Sequence, residues 1–252
     1  MTDWRDIFEQ TYAAPASRVQ ERIWREVFGD EYPEGVDPYS YVTASELRRI
    51  ASDLRVGADD TIVDLGCGRG GAGLWVALAT GAALVGIDIA ESALLAARER
   101  AARVGADARF VRGEFEATGL PDATADAVMS VDALLFTPDK AAAFRELRRI
   151  LRSGGRLCAT SWDYHRQPAG RPPQVPDHRP LARAAGFRVL AYDETDRWRE
   201  HAEATGAGLL AAVAELAAES GVTEDEERAG LEEMNATYEA MTRRFFLVAE
   251  AI

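Results

Sequence analysis

A short apolar run, Thr61–Leu65, ends in a group of glycines that would let a ligand approach the main chain closely. Gly66, Gly68, Gly70 and Gly71 follow this run in quick succession. Glycine has no Cβ, so the chain can turn sharply there and leave its N–H groups accessible. A helical pattern starts near Gly71, and the order of strand, glycine turn and helix is typical of a nucleotide-binding site.

Two nucleotide ligands are compatible with this turn, and Asp64 discriminates between them. Gly66, Gly68 and Gly71 fit the G-x-G-x-x-G fingerprint of dinucleotide sites. Asp88 ends the next apolar run, at the spacing of an acid that binds ribose hydroxyls. A dinucleotide would bring a pyrophosphate dianion against the Asp64 carboxylate, whereas S-adenosylmethionine brings an ammonium and a sulfonium. Asp64 therefore favours S-adenosylmethionine over NAD, unless it merely caps the turn.

Alternating apolar runs predict the elements that position these residues. Strands are expected near 61–65, 83–87, 108–112, 125–131 and 155–162, and helices near 46–54, 71–79, 91–104 and 139–152. Such alternation with short links predicts a parallel sheet covered by helices, with the ligand at the carboxyl ends of the strands. The acids at or just past those ends are Asp64, Asp88, Glu114 and Asp132. Their convergence favours a cationic ligand with hydroxyl and amine groups.

The pattern changes beyond residue 162. The predicted elements there are an irregular proline-rich connection (167–180), strands at 187–193 and 244–249, and helices at 205–220 and 223–241. Thr223 and Glu226 form a capping box for the last helix, as Thr43 and Glu46 do for the helix at 46–54.

Several segments follow, in order, the motifs of one enzyme family. They are residues 63–70 (VDLGCGRG), 86–88 (GID), 109–115 (RFVRGEF), 126–132 (DAVMSVD) and 144–157 (FRELRRILRSGGRL). Over about residues 40–162 the chain resembles class I S-adenosylmethionine-dependent methyltransferases, especially small-molecule enzymes of the ubiquinone-biosynthesis type (type 11). The resemblance is specific for the cofactor and nearly silent on the methyl acceptor.

The resemblance implies an α/β fold, a Rossmann-like three-layer α-β-α sandwich. Its seven-stranded sheet is mostly parallel, with an antiparallel last strand and an added helical cap. The implied organisation is an N-terminal helical cap segment (1–45), a cofactor-binding core (46–195 and 243–252) and a helical lid between the last two strands (196–242).

The same resemblance assigns the methionine and ribose ends of the cofactor. Asp64 and the backbone of Gly66 and Gly68 would hold the methionine part. Asp88 would bind the ribose diol, and Ile89 would lie beside the adenine.

The adenine end and the mouth of the site are assigned in the same way. Glu114 would accept from the adenine amino group, although aspartate is usual there, and the Phe115 backbone would contact the ring edge. Ser130 and Val131 would line the mouth at the fourth strand, and Tyr41 would cover the sulfonium end.

The acceptor side departs from the family pattern. Residues 133–139 (ALLFTPD) stand where relatives often show Leu-His-His-Leu-Pro-Asp, and Leu135 and Phe136 replace both histidines. A histidine base from this loop is therefore excluded. Asp132 and His165 remain as candidate catalytic groups, although Asp132 could instead cap a helix or orient the acceptor and His165 could be a solvated loop residue.

Aromatic side chains outside the sheet predict the character of the acceptor. Tyr12, Phe136 and Tyr164 are the candidate substrate-binding residues. An apolar, aromatic-lined pocket suits a flat or lipophilic small molecule, methylated at oxygen, nitrogen or carbon.

Composition narrows the partners. The formal net charge is −13 and the sequence pI about 4.8, which argues against a nucleic-acid partner. We expect no membrane partner, because no apolar run reaches spanning length and the N-terminus lacks a signal-peptide core. The two isolated cysteines, Cys67 and Cys158, indicate a cytoplasmic protein without a metal. Either a monomer or a homodimer is compatible with the sequence.

Two other functions remain open at this level. An NAD-dependent oxidoreductase could use the same glycine turn, although the sole lysine, Lys140, is not part of a Tyr-x-x-x-Lys pair. A non-catalytic S-adenosylmethionine-binding protein would show identical cofactor motifs.

Overall fold

A seven-stranded sheet is the centre of the computed structural model, which describes residues 4–252. Its strands are β1 (Thr61–Leu65), β2 (Ala83–Asp88), β3 (Ala108–Arg112), β4 (Ala125–Val131), β5 (Leu151–Tyr164), β6 (Phe187–Glu194) and β7 (Met241–Ala251). They lie in the order β3-β2-β1-β4-β5-β7-β6. Neighbours from β3 to β5 pair in parallel, and β7 is antiparallel to β5 and β6. The predicted fold class is confirmed, including the antiparallel last strand.

Helices cover both faces of this sheet. They are α1 (Trp4–Ala13), α2 (Arg18–Phe28), α3 (Ala44–Asp53), α4 (Gly71–Thr80), α5 (Glu91–Val104), α6 (Lys140–Ile150), α7 (Arg179–Ala184), α8 (Trp198–Ala211), α9 (Val213–Ser220) and α10 (Glu224–Glu239). Helices α3, α4 and α5 pack in one apolar cluster, and α6 and α7 pack in another. In the part of the chain that the structure describes, no helix is long and apolar enough to cross a bilayer.

A third apolar cluster joins the N-terminal segment to the helices between β6 and β7. It contains side chains of α2, α8, α9 and α10, together with Tyr41, Leu135, Trp162 and Tyr164. Because Trp162 and Tyr164 end β5, this cluster lies at the carboxyl end of the sheet. The predicted division into cap segment, core and lid remains a prediction, and residues 1–3 of the cap segment lie outside the described residues.

Three predicted boundaries were wrong. The helix expected over 205–220 is two helices, broken at Ala212, whose N–H bonds to both Gly208 and Leu209 carbonyls. Gly206 and Gly208 weaken the helix before this break, and a Cβ on Gly208 would lie only 2.8 Å from Ile23 of α2, so close helix packing requires glycine there. Such packing cannot be deduced from local periodicity.

The other two errors concern strand lengths. The helix expected to reach Met241 ends at Glu239, because Met241 pairs with Tyr164 in the sheet. Strand β5 begins at Leu151 rather than 155, because Leu151 pairs with Ala125 beyond a register shift. Both capping boxes, at Thr43 and Thr223, are confirmed.

A buried guanidinium connects α3 and the loop after β4 to the last strand. Arg244 of β7 is 1% exposed, and its Nε and Nη2 donate to Asp132 at 2.9 and 3.1 Å. Its Nη1 donates to both oxygens of Glu46, at 2.7 and 3.0 Å. Burial opposes the charge of Arg244, but the two carboxylates outweigh it and raise the arginine pKa.

Asp132 is also bonded to the segment that precedes α3. It accepts from the Ser40 hydroxyl and the Tyr41 N–H, both at 2.9 Å, and from the Thr160 hydroxyl at 2.8 Å. Its φ of 53° lies in the left-handed region, which is unfavourable for a side chain with a Cβ. These bonds hold the strained residue in place, so the cap segment, β4, β5 and β7 meet at one carboxylate.

Replacing Arg244 tests how much this connection stabilises the fold. Arg244→Met would leave two buried carboxylates without a counter-charge, so we expect the free energy of unfolding to fall by about 3–5 kcal/mol. The matched control is Arg188→Met, because the Arg188 side chain is 60% exposed and pairs with Glu250 at the surface. We expect it to cost about 0–1 kcal/mol. Urea unfolding measures both, and equal losses in the two variants would contradict the structural role of Arg244.

Candidate active site

A cavity of about 820 Å³ opens at the carboxyl ends of the parallel strands. Its floor comes from the ends of β1, β2 and β4 and from the loop after β3. Its walls include α1 and the loops at 36–40 and 170–173. This volume is typical of a site for small molecules.

Most of the residues predicted from the sequence line this cavity. They are Tyr12, Asp64, Gly66, Gly68, Asp88, Ile89, Glu114, Phe115, Val131, Asp132 and Phe136. The structure brings these residues together from six separate parts of the chain, but it does not by itself test the role predicted for each.

The remaining four predicted residues are not part of the cavity wall. The Ser130 hydroxyl donates to the Leu65 carbonyl at 2.8 Å and joins β4 to β1. The Tyr41 hydroxyl is buried against Thr205 and Tyr238. Tyr164 is buried, and its hydroxyl has no hydrogen-bond partner among residues 4–252.

His165 is the fourth of these residues and was a candidate base. It is exposed just past the end of β5, and its backbone N–H donates to the Ala240 carbonyl at 3.0 Å. Its ring therefore lies on the surface rather than at the cavity.

The glycine turn has the tight geometry that its sequence predicts. The N–H groups of Gly66 and Cys67 both donate to the Ile87 carbonyl, at 2.8 and 3.0 Å, which folds the turn back onto β2. Gly66 has φ of 75°, and a Cβ there would collide with Ala133. A Cβ on Gly68 would lie 2.9 Å from the Tyr12 hydroxyl. Glycine is thus required at both positions for conformation and for space.

Asp64 is a buried carboxyl beside the first turn of α4. It is 2% exposed, and it accepts a hydrogen bond from the Gly73 N–H. Burial, with a smaller contribution from the charge of Asp88, raises its pKa to about 7. A positive ligand at this point would favour the carboxylate form, whereas a phosphate would not.

Asp88 at the end of β2 organises the opposite side of the turn. Its carboxylate accepts from the Gly68 N–H at 2.8 Å and from the Ala90 N–H at 3.0 Å. Burial raises its pKa although these backbone hydrogen bonds act in the other direction. The carboxylate lines the cavity, so it is available to polar groups of a ligand.

Helix α1 covers the cavity with an aromatic face that the sequence analysis did not identify. Trp4, Phe8 and Tyr12 are spaced by four residues, which places them on one side of the helix. All three line the cavity. The Phe136 ring lies 5.0 Å from Trp4 and 4.8 Å from Phe8, centroid to centroid. The spacing of the aromatics was a signal that could have revealed this face.

Helix α1 is attached to α5 through Glu9. The Glu9 carboxylate accepts from the N–H groups of Glu91 and Ser92, at 2.8 and 3.1 Å, and its carbonyl accepts from the Ser92 hydroxyl at 3.0 Å. Ala90, the N-cap of α5, provides no side-chain cap. Glu9 therefore supplies from another helix both the missing cap and a negative charge at the positive end of α5.

Arg69 of the glycine turn holds the other end of α1. Its Nη2 donates to the carbonyls of Tyr12 and Ala14. Its Nη1 is buried and has no acceptor within residues 4–252, while the side chain lines the cavity. Arg5 at the start of α1 pairs with Glu114. No local sequence signal distinguished Arg69, since position 69 lies within a motif read for its glycines.

The fold is similar to those of several solved enzymes. It superposes on a solved geranyl diphosphate C-methyltransferase from Streptomyces coelicolor A3(2) with a TM-score of 0.66, at 16% identity, over 100% of this chain and 99% of that one. It superposes on the [4+2]-cyclase SpnF with a TM-score of 0.71, at 21% identity, over 96% and 94% of the two chains. The chain thus has the Rossmann-like fold of these solved structures.

Sequence comparison shows similarity to methyltransferases over part of the chain. Residues 63–159 match a family model described as a methyltransferase domain. The 27-O-demethylrifamycin SV methyltransferase of Amycolatopsis mediterranei is 31% identical over 160 residues, covering 63% of this chain and 57% of that protein. Methyltransferase GfsG of Streptomyces halstedii is 31% identical over 127 residues, covering 50% and 46%. The chain spans about half the length of these curated relatives, and the segment it shares with them is similar to a methyltransferase domain.

Proposed function

We propose that this protein transfers a methyl group from S-adenosylmethionine to a small aromatic or lipophilic metabolite. The observation that carries the proposal is the buried Asp64 carboxyl at a glycine turn, inside a cavity of about 820 Å³. An anionic pyrophosphate would be repelled there, and a sulfonium with an ammonium would be attracted. The named relatives support a small acceptor, since they include a rifamycin, a sterol and a tocopherol methyltransferase.

In this proposal each part of the cofactor has a partner in the cavity wall. Asp64 faces the positive methionine end, and Asp88 accepts from the ribose hydroxyls. Ile89 and Phe115 flank the adenine, whose amino group donates to Glu114. Because Glu114 also pairs with Arg5 of α1, adenine binding and the position of α1 are coupled.

Arg69 supplies a positive charge for the cofactor's carboxylate, which the acidic residues of the site cannot bind. The cofactor's methionine carboxylate needs a positive partner, and the buried Nη1 of Arg69 lacks an acceptor among the described residues. Gly68 and the start of α4 adjoin Arg69, and the helix N-terminus adds a favourable dipole. We assign Arg69 as the partner of this carboxylate.

The chemistry requires positioning more than proton transfer. When bound, S-adenosylmethionine supplies an electrophilic methyl group, and in-line displacement moves it to the acceptor while sulfur retains the electron pair of the broken bond. The cavity wall orients the acceptor and excludes water. Asp132 accepts five hydrogen bonds, which supports a positioning role rather than that of a base. The exposed ring of His165 likewise supports an acceptor that needs no base.

Two competing functions have specific tests. The fold alone does not require methyl transfer, because a [4+2]-cyclase shares it; a product without an added methyl group would favour such a role. Cofactor binding without any product over an acceptor panel would favour a non-catalytic binding protein. The free Cys67 and Cys158 thiols support a cytoplasmic site of action.

Calorimetric titration of the full chain tests the cofactor proposal. We expect micromolar binding of S-adenosylmethionine and S-adenosylhomocysteine and no binding of NADH. Asp88→Ala should weaken binding at least tenfold, because the ribose diol loses its acceptor. Asp122→Ala is the matched control, since the Asp122 side chain is 81% exposed at the surface. Binding of NADH alone would refute the proposal. Transfer of a labelled methyl group from S-adenosylmethionine to a compound of an acceptor panel would demonstrate the proposed activity.

The pH dependence of binding tests Asp64. Its pKa in the free protein is about 7, and a cationic ligand binds the ionised form. The affinity for S-adenosylmethionine should therefore rise by up to about tenfold per pH unit as the pH increases from 5 towards 7, and then level off. In the ligand-free fold, the same raised pKa means that stability decreases over this range. Titrations of Asp64→Asn should show a flatter profile; an unchanged profile would assign the titration to another group.

A shortened ligand tests Arg69. The compound 5′-methylthioadenosine keeps the adenosine and sulfur but lacks the amino-acid part of S-adenosylhomocysteine. Arg69→Gln should weaken binding of S-adenosylhomocysteine about tenfold or more, because a buried charged hydrogen bond is lost. Binding of 5′-methylthioadenosine should change little, and Arg69→Lys should retain part of the affinity. Equal losses for both ligands would indicate that Arg69 acts only by holding α1.

A further inference from the structure

Besides Arg69, a second arginine, Arg171, lies at the cavity wall. Arg171 belongs to the proline-rich connection after β5 and lines the cavity. Its guanidinium carbon lies 5.0 Å from the Trp4 ring centroid and 5.6 Å from that of Phe136. Within residues 4–252 its side chain has no hydrogen-bond partner, and no carboxylate lies within 4.0 Å of it. Arg171 is half-buried, and its guanidinium lies against aromatic rings rather than beside a carboxylate.

Neighbouring acids are already committed to other partners. Glu116 accepts from the Thr137 hydroxyl and from the Asp139 N–H. Asp132 is neutralised by Arg244. In a chain with a net charge of −13, an arginine held away from these carboxylates is available to an anion from outside.

We propose that Arg171 forms a subsite for an anionic oxygen group of the methyl acceptor. The flat part of the acceptor lies against Trp4 and Phe136. A planar guanidinium suits a carboxylate or phosphate, which it binds through two parallel hydrogen bonds. This inference rests on the proposed function and narrows it: the acceptor is an aromatic or unsaturated acid rather than a neutral lipid or an amine.

The test uses four probes that share a naphthalene ring and differ in charge. They are 2-naphthoate, 2-naphthyl phosphate, 2-naphthalenemethanol and 2-naphthylmethylammonium, titrated into the full chain with and without saturating S-adenosylhomocysteine. We expect an anionic probe to bind about tenfold or more tightly than the alcohol, and the ammonium to bind most weakly. The better of the two anions identifies the acceptor group as carboxyl or phosphoryl.

Variants test whether the preference for an anionic probe depends on Arg171. Arg171→Gln should abolish the preference for an anion, and Arg171→Lys should retain part of it. Arg166→Gln is the matched control, because Arg166 belongs to the same connection but pairs with Glu239 at the surface. It should leave all four affinities unchanged.

The outcomes separate this inference from the function on which it rests. Normal binding of S-adenosylhomocysteine without any preference for an anion, or without anion binding at all, would overturn the subsite alone. A preference that survives in Arg171→Gln would also overturn it. Failure of S-adenosylhomocysteine to bind the wild-type chain would overturn the proposed function, while the titrations without it still measure the anion preference.

Discussion

The guanidinium of Arg244 is the point where the separate parts of this molecule are held in register. It lies between Glu46 at the start of α3 and Asp132 at the end of β4, and it is carried by the last strand of the sheet. Two carboxylates and one cation removed from water are stable only when their geometry is complete. Any shift of the cap segment against the sheet would leave a buried charge uncompensated. The position of the cavity wall at Ser40 and Asp132 follows from this requirement.

The site itself has the opposite electrostatic character. Asp64 and Asp88 are both buried, and the pKa of each is raised mainly because burial excludes water. The ligand-free fold therefore contains unfavourable charge at the place where ligand is expected. A ligand with a positive centre would stabilise the ionised carboxylates, and its binding would relieve this unfavourable charge.

Much of the sheet and the cofactor side could be predicted from the sequence because they depend on local signals. The glycine turn, the apolar runs and the capping boxes at Thr43 and Thr223 each lie within a few residues. The ion pair of Arg244 with Glu46 could not be predicted, because the two residues are 198 positions apart. The break at Ala212 depends on contact between Gly208 and Ile23 of another helix.

The candidate site shows the same division between local and distant information. Asp64, Asp88 and the glycines were identified from spacing alone, and they do line the cavity. Arg69 and Arg171 were missed because an arginine has no characteristic pattern, and only packing reveals that its charge lacks a counter-ion. Tyr41 and Tyr164 were expected at the pocket, but they are buried in the third apolar cluster and do not line the cavity.

The attachment of α1 has a consequence for the timing of turnover. Its carboxylate Glu9 closes the end of α5, its backbone carbonyls occupy Arg69, and its aromatic face lies over both halves of the cavity. On the proposed function, we expect a spent nucleoside to leave only after α1 moves away from these contacts. The rate of that movement would then contribute to the residence time of the nucleoside and to the turnover rate.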